Sequence, residues 1–290
     1  MTKGKENTSA VYRGMDQATL DAAYNNSEAV IDSPQWLETW RERSEASRRE
    51  LDSVLDIRYG LNERNTLDLF LSGEPSAPLF MFIHGGYWQR NDKSVFSFVA
   101  NGLCQLGIDV VVPGYTLAPD TSLTSIVDEI HRALTYIRSN PERFHQNLDR
   151  IIVGGWSAGG HLSALTQGYT GVTGIMPVSG IFDLEPIANS YINDKLQLTR
   201  DEVSRLSPMR NGYAGVVPTR IAVGALELPE LIRQSTEYAD ALHDKGREIE
   251  LVKVPDRNHF SILEELAEPD GLLARMVVEL CAIEPGNAHS

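Results

Sequence analysis

A doubly wound α/β fold, with a mostly parallel sheet covered by helices on both faces, is the architecture this sequence predicts. Three observations predict it. Leu79–Ile83, Val110–Val112 and Ile151–Val153 are continuous apolar runs, as expected of strands buried on both faces. Stretches of helical periodicity fall between them. Ahead of them, Leu55, Ile57 and Tyr59 alternate with polar residues, as do Leu67, Leu69 and Leu71. That period of two gives a hairpin with one buried face, at an antiparallel edge of the sheet.

Taken in order, residues 1–15 carry no pattern and read as disordered. Asp16 is placed to cap a helix running to about Asn25, with Leu20, Ala23 and Tyr24 on one face. Ser33-Pro34 starts a second helix with proline in its first turn, and Trp36, Leu37 and Trp40 form its apolar stripe. The favoured role of these tryptophans is packing onto the main domain; roofing an active site is the alternative. Residues 16–50 thus form an N-terminal helical extension of a single domain, 16–290. Further helices are expected near Ser94–Leu106, Ser122–Arg138 and Ser261–Ala282, and further strands at Gly174–Val178, Arg220–Val223 and Ile249–Val254. Residues 185–214 break the alternation and read either as a small lid over the sheet's carboxyl edge or as a solvated helical connection.

The 290 residues are 42% hydrophobic, enough for a sizeable core, and the net charge is −14. That charge argues against nucleic-acid binding, which needs a basic face. Cys104 and Cys281 lack metal-ligand spacing, so no metal is expected, and a reduced, cytoplasmic setting is the simplest reading. Met1–Ala10 has no apolar core of a signal peptide, and no run is long enough to span a membrane. The sequence leaves the oligomeric state open, a homodimer being the common assembly.

The chemistry centres on Gly155-Trp156-Ser157-Ala158-Gly159. A G-x-S-x-G pattern between a strand and a helix start is a nucleophile elbow, with Ser157 Oγ held out of the sheet above a helix N-terminus. The glycines are needed because side chains flanking the turn would collide with neighbouring backbone. A serine attacks only when a base takes its proton and an acid orients that base. His259 follows strand Ile249–Val254 at its carboxyl end, where open α/β sheets bind ligands, and is the chosen base. His243 falls in a charged helical run, His289 beside the terminus, and His161 four residues after Ser157, too close to reach back; it reads as structural. Glu227, just past strand Arg220–Val223, is the chosen acid. Glu230 is the fallback, expected to face solvent in a helix's first turn, and Asp183 is a third candidate whose setting reads more like a turn cap. His84-Gly85-Gly86-Tyr87-Trp88 follows a strand; with the amide of Ala158, this loop around Gly85, Gly86 and Tyr87 is placed to donate N–H groups to an oxyanion. Tyr87 and Trp88 are candidates for lining the substrate pocket, with a place in the core as the alternative. Arg90 and Lys93 lie close behind. One of them is placed to neutralise a substrate carboxylate, although a solvated loop is the favoured reading.

The set His84–Trp88, Gly155–Gly160, Glu227 and His259 resembles the α/β-hydrolase superfamily. Within it the chain is similar to the kynurenine formamidase-like branch, near the hormone-sensitive-lipase-type esterases. Tyr115-Thr116-Leu117-Ala118-Pro119, the Gly224–Glu227 stretch with Pro229, Gln234 and Ser235, and the Leu20–Asn25 helix carry the same resemblance, over about residues 16–283. It implies a cofactor-free serine hydrolase acting through an acyl-enzyme on a carboxylic ester or aryl formamide. Some family members have Asp where Glu227 stands. A thioesterase or peptidase on the same skeleton, or a non-catalytic ligand-binding protein, are the alternatives; against the last, no triad member is missing.

Overall fold

The protein is described from a computed structural model covering residues 10–144, 150–211 and 217–282. Eight strands form one sheet: β1 (Ser53–Arg58), β2 (Thr66–Phe70), β3 (Leu79–Ile83), β4 (Asp109–Pro113), β5 (Ile151–Trp156), β6 (Val172–Val178), β7 (Thr219–Gly224) and β8 (Ile249–Val254). Their spatial order is β1-β2-β4-β3-β5-β6-β7-β8. The pairs β1/β2 and β2/β4 are antiparallel and the rest parallel. The expected hairpin edge is there, with Ile57 opposite Leu67.

The apolar runs divide cleanly between the two faces. Leu79, Met81, Ile83, Ile151 and Val153 pack on one side with Ile126, Ile130 and Ile137 of the helix Leu123–Ser139. Phe80, Phe82 and Ile152 pack on the other with Met276, Val277 and Leu280 of the helix Leu272–Ala282. Successive strand side chains point to opposite faces, so a strand covered on both sides must be apolar at every position.

Three local expectations need correcting. The stretch near Ser94–Leu106 is a 3-10 segment, Lys93–Val99, capped by Asp92 on Ser94 N, followed by the helix Ala100–Gln105. The helix expected over Ser261–Ala282 is in three pieces, Ser261–Leu263, Glu264–Ala267 and Leu272–Ala282. Pro269 lacks an N–H and breaks it, and Glu265 Oε2 then takes Leu272 N at 2.8 Å. Residues 10–15, read as disordered, contain a turn that buries Tyr12, whose hydroxyl donates to Asp183 Oδ2 at 3.2 Å; residues 1–9 lie outside the described residues.

The N-terminal helices run over Gln17–Ala23, Asn26–Ala29 and Ser33–Glu50. Asp16 caps the first by accepting from Thr19 N at 2.9 Å, and it ends two residues earlier than expected because Asn25 caps the next. Trp40 is fully buried, stacked on Phe98 and edge-on to Trp156, with both ring separations 5.4 Å. It also approaches Phe260 at 5.9 Å. Its role is therefore packing, directly beneath the residues that precede Ser157 and follow His259. Within 185–211, Ile187, Ile192, Leu196, Val203 and Leu206 join the main core while Asp194, Lys195, Arg200 and Asp201 are exposed, so the segment is a helical connection packed on one side and solvated on the other; 212–214 lie outside the described residues.

Lys93 Nζ binds Asp56 Oδ1 at 2.7 Å and Asp68 Oδ1 at 2.6 Å, and Arg48 pairs with the same buried Asp68. This cluster ties the helix Ser33–Glu50, β1 and β2 to the loop that follows β3. Lys93 is 4% exposed, so it has no free charge to offer a substrate.

Truncating Trp40 empties a fully buried site shared by five aromatic neighbours, Trp36, Phe96, Phe98, Trp156 and Phe260. Trp40→Ala should lose about 3–5 kcal/mol of stability, read as a fall in urea midpoint, whereas Trp40→Phe should lose much less. A midpoint for Trp40→Ala near that of the parent would mean the extension is not part of the cooperative core.

Candidate active site

Ser157 sits between β5 and the helix Ala158–Ala164 with φ 58° and ψ −116°, a backbone that L-residues avoid and that persists only where its surroundings enforce it. Its N–H is held by Val178 O at 2.8 Å. The flanking glycines explain the enforcement. A Cβ on Gly159 would overlap the carbonyl oxygen of Ile83, one on Gly155 the carbonyl of Gly159, and one on Gly160 would stand 2.9 Å from Gly180 Cα. Strand, turn and helix close on each other with no room for side chains. The seryl oxygen is thereby held at the sheet's carboxyl edge.

The structure brings Glu227 and His259 together. His259 Nδ1 lies 2.7 Å from Glu227 Oε2. The other carboxylate oxygen, Oε1, accepts from Gly224 N at 2.7 Å and from Ser179 Oγ at 2.5 Å. The Glu227 side chain is fully buried and that of His259 nearly so. A buried carboxylate is tolerable only with such donors around it. The His259 loop is fixed on both sides. Asn258 Oδ1 accepts from Phe260 N and Ser261 N, each at 2.9 Å, and Trp156 Nε1 donates to His259 O at 2.7 Å. Sequence reasoning missed Ser179, Trp156 and Asn258. Ser179 follows β6 at the same edge as the elbow and the acid, and that strand-end position was the available signal.

The other carboxylates and histidines go elsewhere. Glu230 does not face solvent as expected: it is bound by Arg233 at 2.6 Å and by the Tyr24 hydroxyl at 3.0 Å. Burial would raise its carboxyl, but Arg233 outweighs that and holds it below the usual range. Asp183 accepts from Glu185 N at 3.1 Å, as a turn cap, and from Tyr12. His243 ends the helix Pro229–His243, and His289 lies outside the described residues. His161 Nε2 donates to Leu206 O at 2.7 Å, which places it in a packing role.

The loop after β3 lies directly on the elbow: a Cβ on Gly85 would stand 2.6 Å from Trp156 O and 3.0 Å from Ser157 Cβ. Gly86, Tyr87 and Trp88 all have positive φ, at 119°, 51° and 58°. Gly85 O is held by His84 Nδ1 at 2.9 Å and Asn91 Nδ2 at 3.1 Å, while Gly86 O accepts from Gln89 N and Arg90 N, both at 3.0 Å. In a planar peptide the N–H points opposite to the C=O. Fixing these two carbonyls therefore fixes the direction of the Gly86 and Tyr87 amides. Ala158 is the first residue of its helix, so its amide has no intrahelical acceptor.

Ser157, His259, Gly86 and Tyr87 line one cleft of about 60 Å³, closed on its other side by Asn26, Ser27 and Leu37 of the N-terminal segment. Trp88 is not among its walls. The positive φ at Trp88 turns the indole into the core, edge-on to His161 at 4.9 Å, so it is a core residue and does not line the pocket. The Tyr87 hydroxyl donates to Tyr24 O and accepts from Asn26 Nδ2 at 3.0 Å, which pins the extension to the loop. No cluster of potential metal ligands occurs among the described residues, and no helix among them is long and apolar enough to cross a membrane.

Kynurenine formamidase from Danio rerio is 31% identical over 252 residues, 82% of this chain and 85% of that protein. The chain belongs to the kynurenine formamidase family. The Drosophila melanogaster member of that family is likewise 31% identical, over 80% of the chain and 83% of its own length. The BD-FAE family profile matches residues 67–203. A Silicibacter sp. TM1040 structure described as a thioesterase superposes with a TM-score of 0.80 at 28% identity, over 89% of this chain and 98% of that one. The protein is a hydrolase with the α/β-hydrolase fold, and the fold expected from the sequence is the one found.

Burial pushes His84 and His161 down to about 4, from an ordinary 6.5. Between those values the unfolded chain binds protons that the folded chain does not, so stability falls as pH falls. The urea midpoint should therefore drop steadily from pH 7 to pH 5, above the range where most carboxylates titrate, with an uptake approaching two protons on unfolding. A midpoint constant over that interval would contradict the buried, neutral state of both rings.

Proposed function

We propose that the protein is a serine hydrolase of aryl formamides, in which Ser157, His259 and Glu227 form the catalytic triad. The observation that carries this reading is the buried Glu227–His259 pair opening onto the same cleft as the elbow serine. Ser157 Oγ attacks the formyl carbon as His259 Nε2 takes its proton. Glu227 holds His259 in the tautomer with hydrogen on Nδ1 and stabilises the imidazolium that forms. The carbonyl oxygen gains negative charge and is met by the amides of Gly86, Tyr87 and Ala158. The tetrahedral species collapses, the C–N bond breaks, and His259 returns its proton to the leaving arylamine. Water, deprotonated by His259, then attacks the formyl-enzyme, releasing formate and restoring the serine.

The small cleft favours formyl over long acyl groups. The curated relatives at 31% identity, named kynurenine formamidases, support the formamide reading. Short carboxylic esters are the second reading, because the same steps expel an alcohol and the thioesterase-described neighbour shares the fold. Turnover should fall in the order N-formylkynurenine, p-nitrophenyl acetate, p-nitrophenyl octanoate. Preference for the octanoate would overturn the formamide assignment.

A fluorophosphonate probe should add its mass to the peptide containing Ser157, and Ser157→Ala should abolish that label. Ser157→Ala and His259→Ala should each lower kcat by roughly 10³-fold or more, and the double variant little further, because triad members act as a unit. Labelling at another serine would remove the triad reading.

A further inference from the structure

The cleft has one permanently charged wall. Of the described residues that line it, only Arg90 is a fixed ion, and no Asp or Glu is among them. Arg90 is exposed and forms no ion pair among the described residues, in a chain where Asp and Glu outnumber Lys and Arg by 40 to 26. The other cations of this region are already committed. Lys93 is bound by Asp56 and Asp68, and Arg64 pairs with Asp92 at 3.1 Å. The second of these pairs occupies Asp92, the carboxylate nearest in sequence to Arg90.

The backbone that carries Arg90 is fixed relative to the chemistry. Its N–H is bonded to Gly86 O at 3.0 Å, and its carbonyl would lie 2.5 Å from a Cβ on Gly86. The next residue, Asn91, holds Gly85 O through Nδ2 and gives its own carbonyl to Arg64 Nη2 at 2.6 Å. The guanidinium is thus one side chain away from the loop that faces Ser157, on a rigid base. A free, planar, five-donor cation at a reaction cleft is suited to bidentate binding of a carboxylate.

From this we infer that Arg90 is a specificity-determining residue that binds a carboxylate on the leaving group, so that the preferred substrates are aryl formamides or esters whose leaving group is anionic. The inference rests on the proposed reaction only for the word substrate; the carboxylate site itself can be read without turnover. It also explains how a chain of net charge −14 accepts an anion, since a local cation offsets the repulsion within about one Debye length, roughly 8–10 Å at moderate salt.

Two measurements test it. In the first, kcat/KM is compared for an aryl formamide bearing an aliphatic carboxylate and for the same molecule capped as its carboxamide. The ratio of the two should fall roughly tenfold in Arg90→Gln, mostly through KM, recover in part in Arg90→Lys, and shrink as salt is raised. In the second, calorimetry on the Ser157→Ala protein measures binding of the deformylated amine with and without its carboxylate. The carboxylate form should bind several-fold tighter, and Arg90→Gln in that background should erase the difference. An unchanged ratio, or equal binding of both amines, overturns the inference. Failure of the wild type to cleave either formamide, with the binding difference intact, would instead overturn the reaction and leave the anion site standing.

Discussion

The Glu227 carboxylate is the constraint on which the site depends. It is a charge taken out of water, and it is held there by three donors: Gly224 N, Ser179 Oγ and His259 Nδ1. Those donors come from the ends of β7 and β6 and from the loop after β8. One buried ion therefore draws three strand ends into a fixed arrangement. Losing one donor would leave part of that buried charge unsatisfied, at a cost of about 1–3 kcal/mol. The same bond fixes the ring orientation of His259, which is what a proposed general base needs.

Beside this ion, the elbow and the loop after β3 form a second constraint, steric rather than electrostatic. Ser157 is held at a positive φ because glycines on either side let backbones approach where no Cβ would fit. The same loop carries three consecutive positive-φ residues, held by side chains of its own sequence, His84 and Asn91. Trp156 links the two constraints, preceding Ser157 in sequence and donating to His259 O. Below it, Trp40 of the extension packs edge-on, so the N-terminal helices support the site as well as walling the cleft.

Much of this was legible in the sequence, for physical reasons. Strands buried on both faces must be apolar throughout, so β3, β4 and β5 announced a parallel sheet. The positions of Ser157, Glu227 and His259 could be picked out because each follows a strand at the edge where such sheets bind ligands. Local chemistry also marked Asp16 as a cap and Asp183 as a turn residue. What stayed hidden depends on contacts between distant residues. Ser179 and the indole of Trp156 act through hydrogen bonds to Glu227 and to His259, 48 and 103 residues away. Trp88 could be read for either the pocket or the core, and its backbone angle, which the sequence does not announce, goes with the core. Lys93 and Glu230 looked like free surface charges, but their partners lie 25 or more residues away for Asp68 and Tyr24. The long C-terminal helix was overdrawn by reading apolar periodicity across Pro269.

The central claim is that the Glu227 carboxylate, and no neighbouring acid, orients and charges His259. The most direct test is kcat for Glu227→Gln and Glu230→Gln side by side, with both variants shown to be folded. An amide at 227 keeps the shape but can leave the imidazole in the wrong tautomer and does not stabilise its cation. The account predicts a loss of roughly 10³-fold or more for Glu227→Gln and a change within a few-fold for Glu230→Gln. Near-normal kcat in folded Glu227→Gln, or a collapse in Glu230→Gln instead, would contradict it.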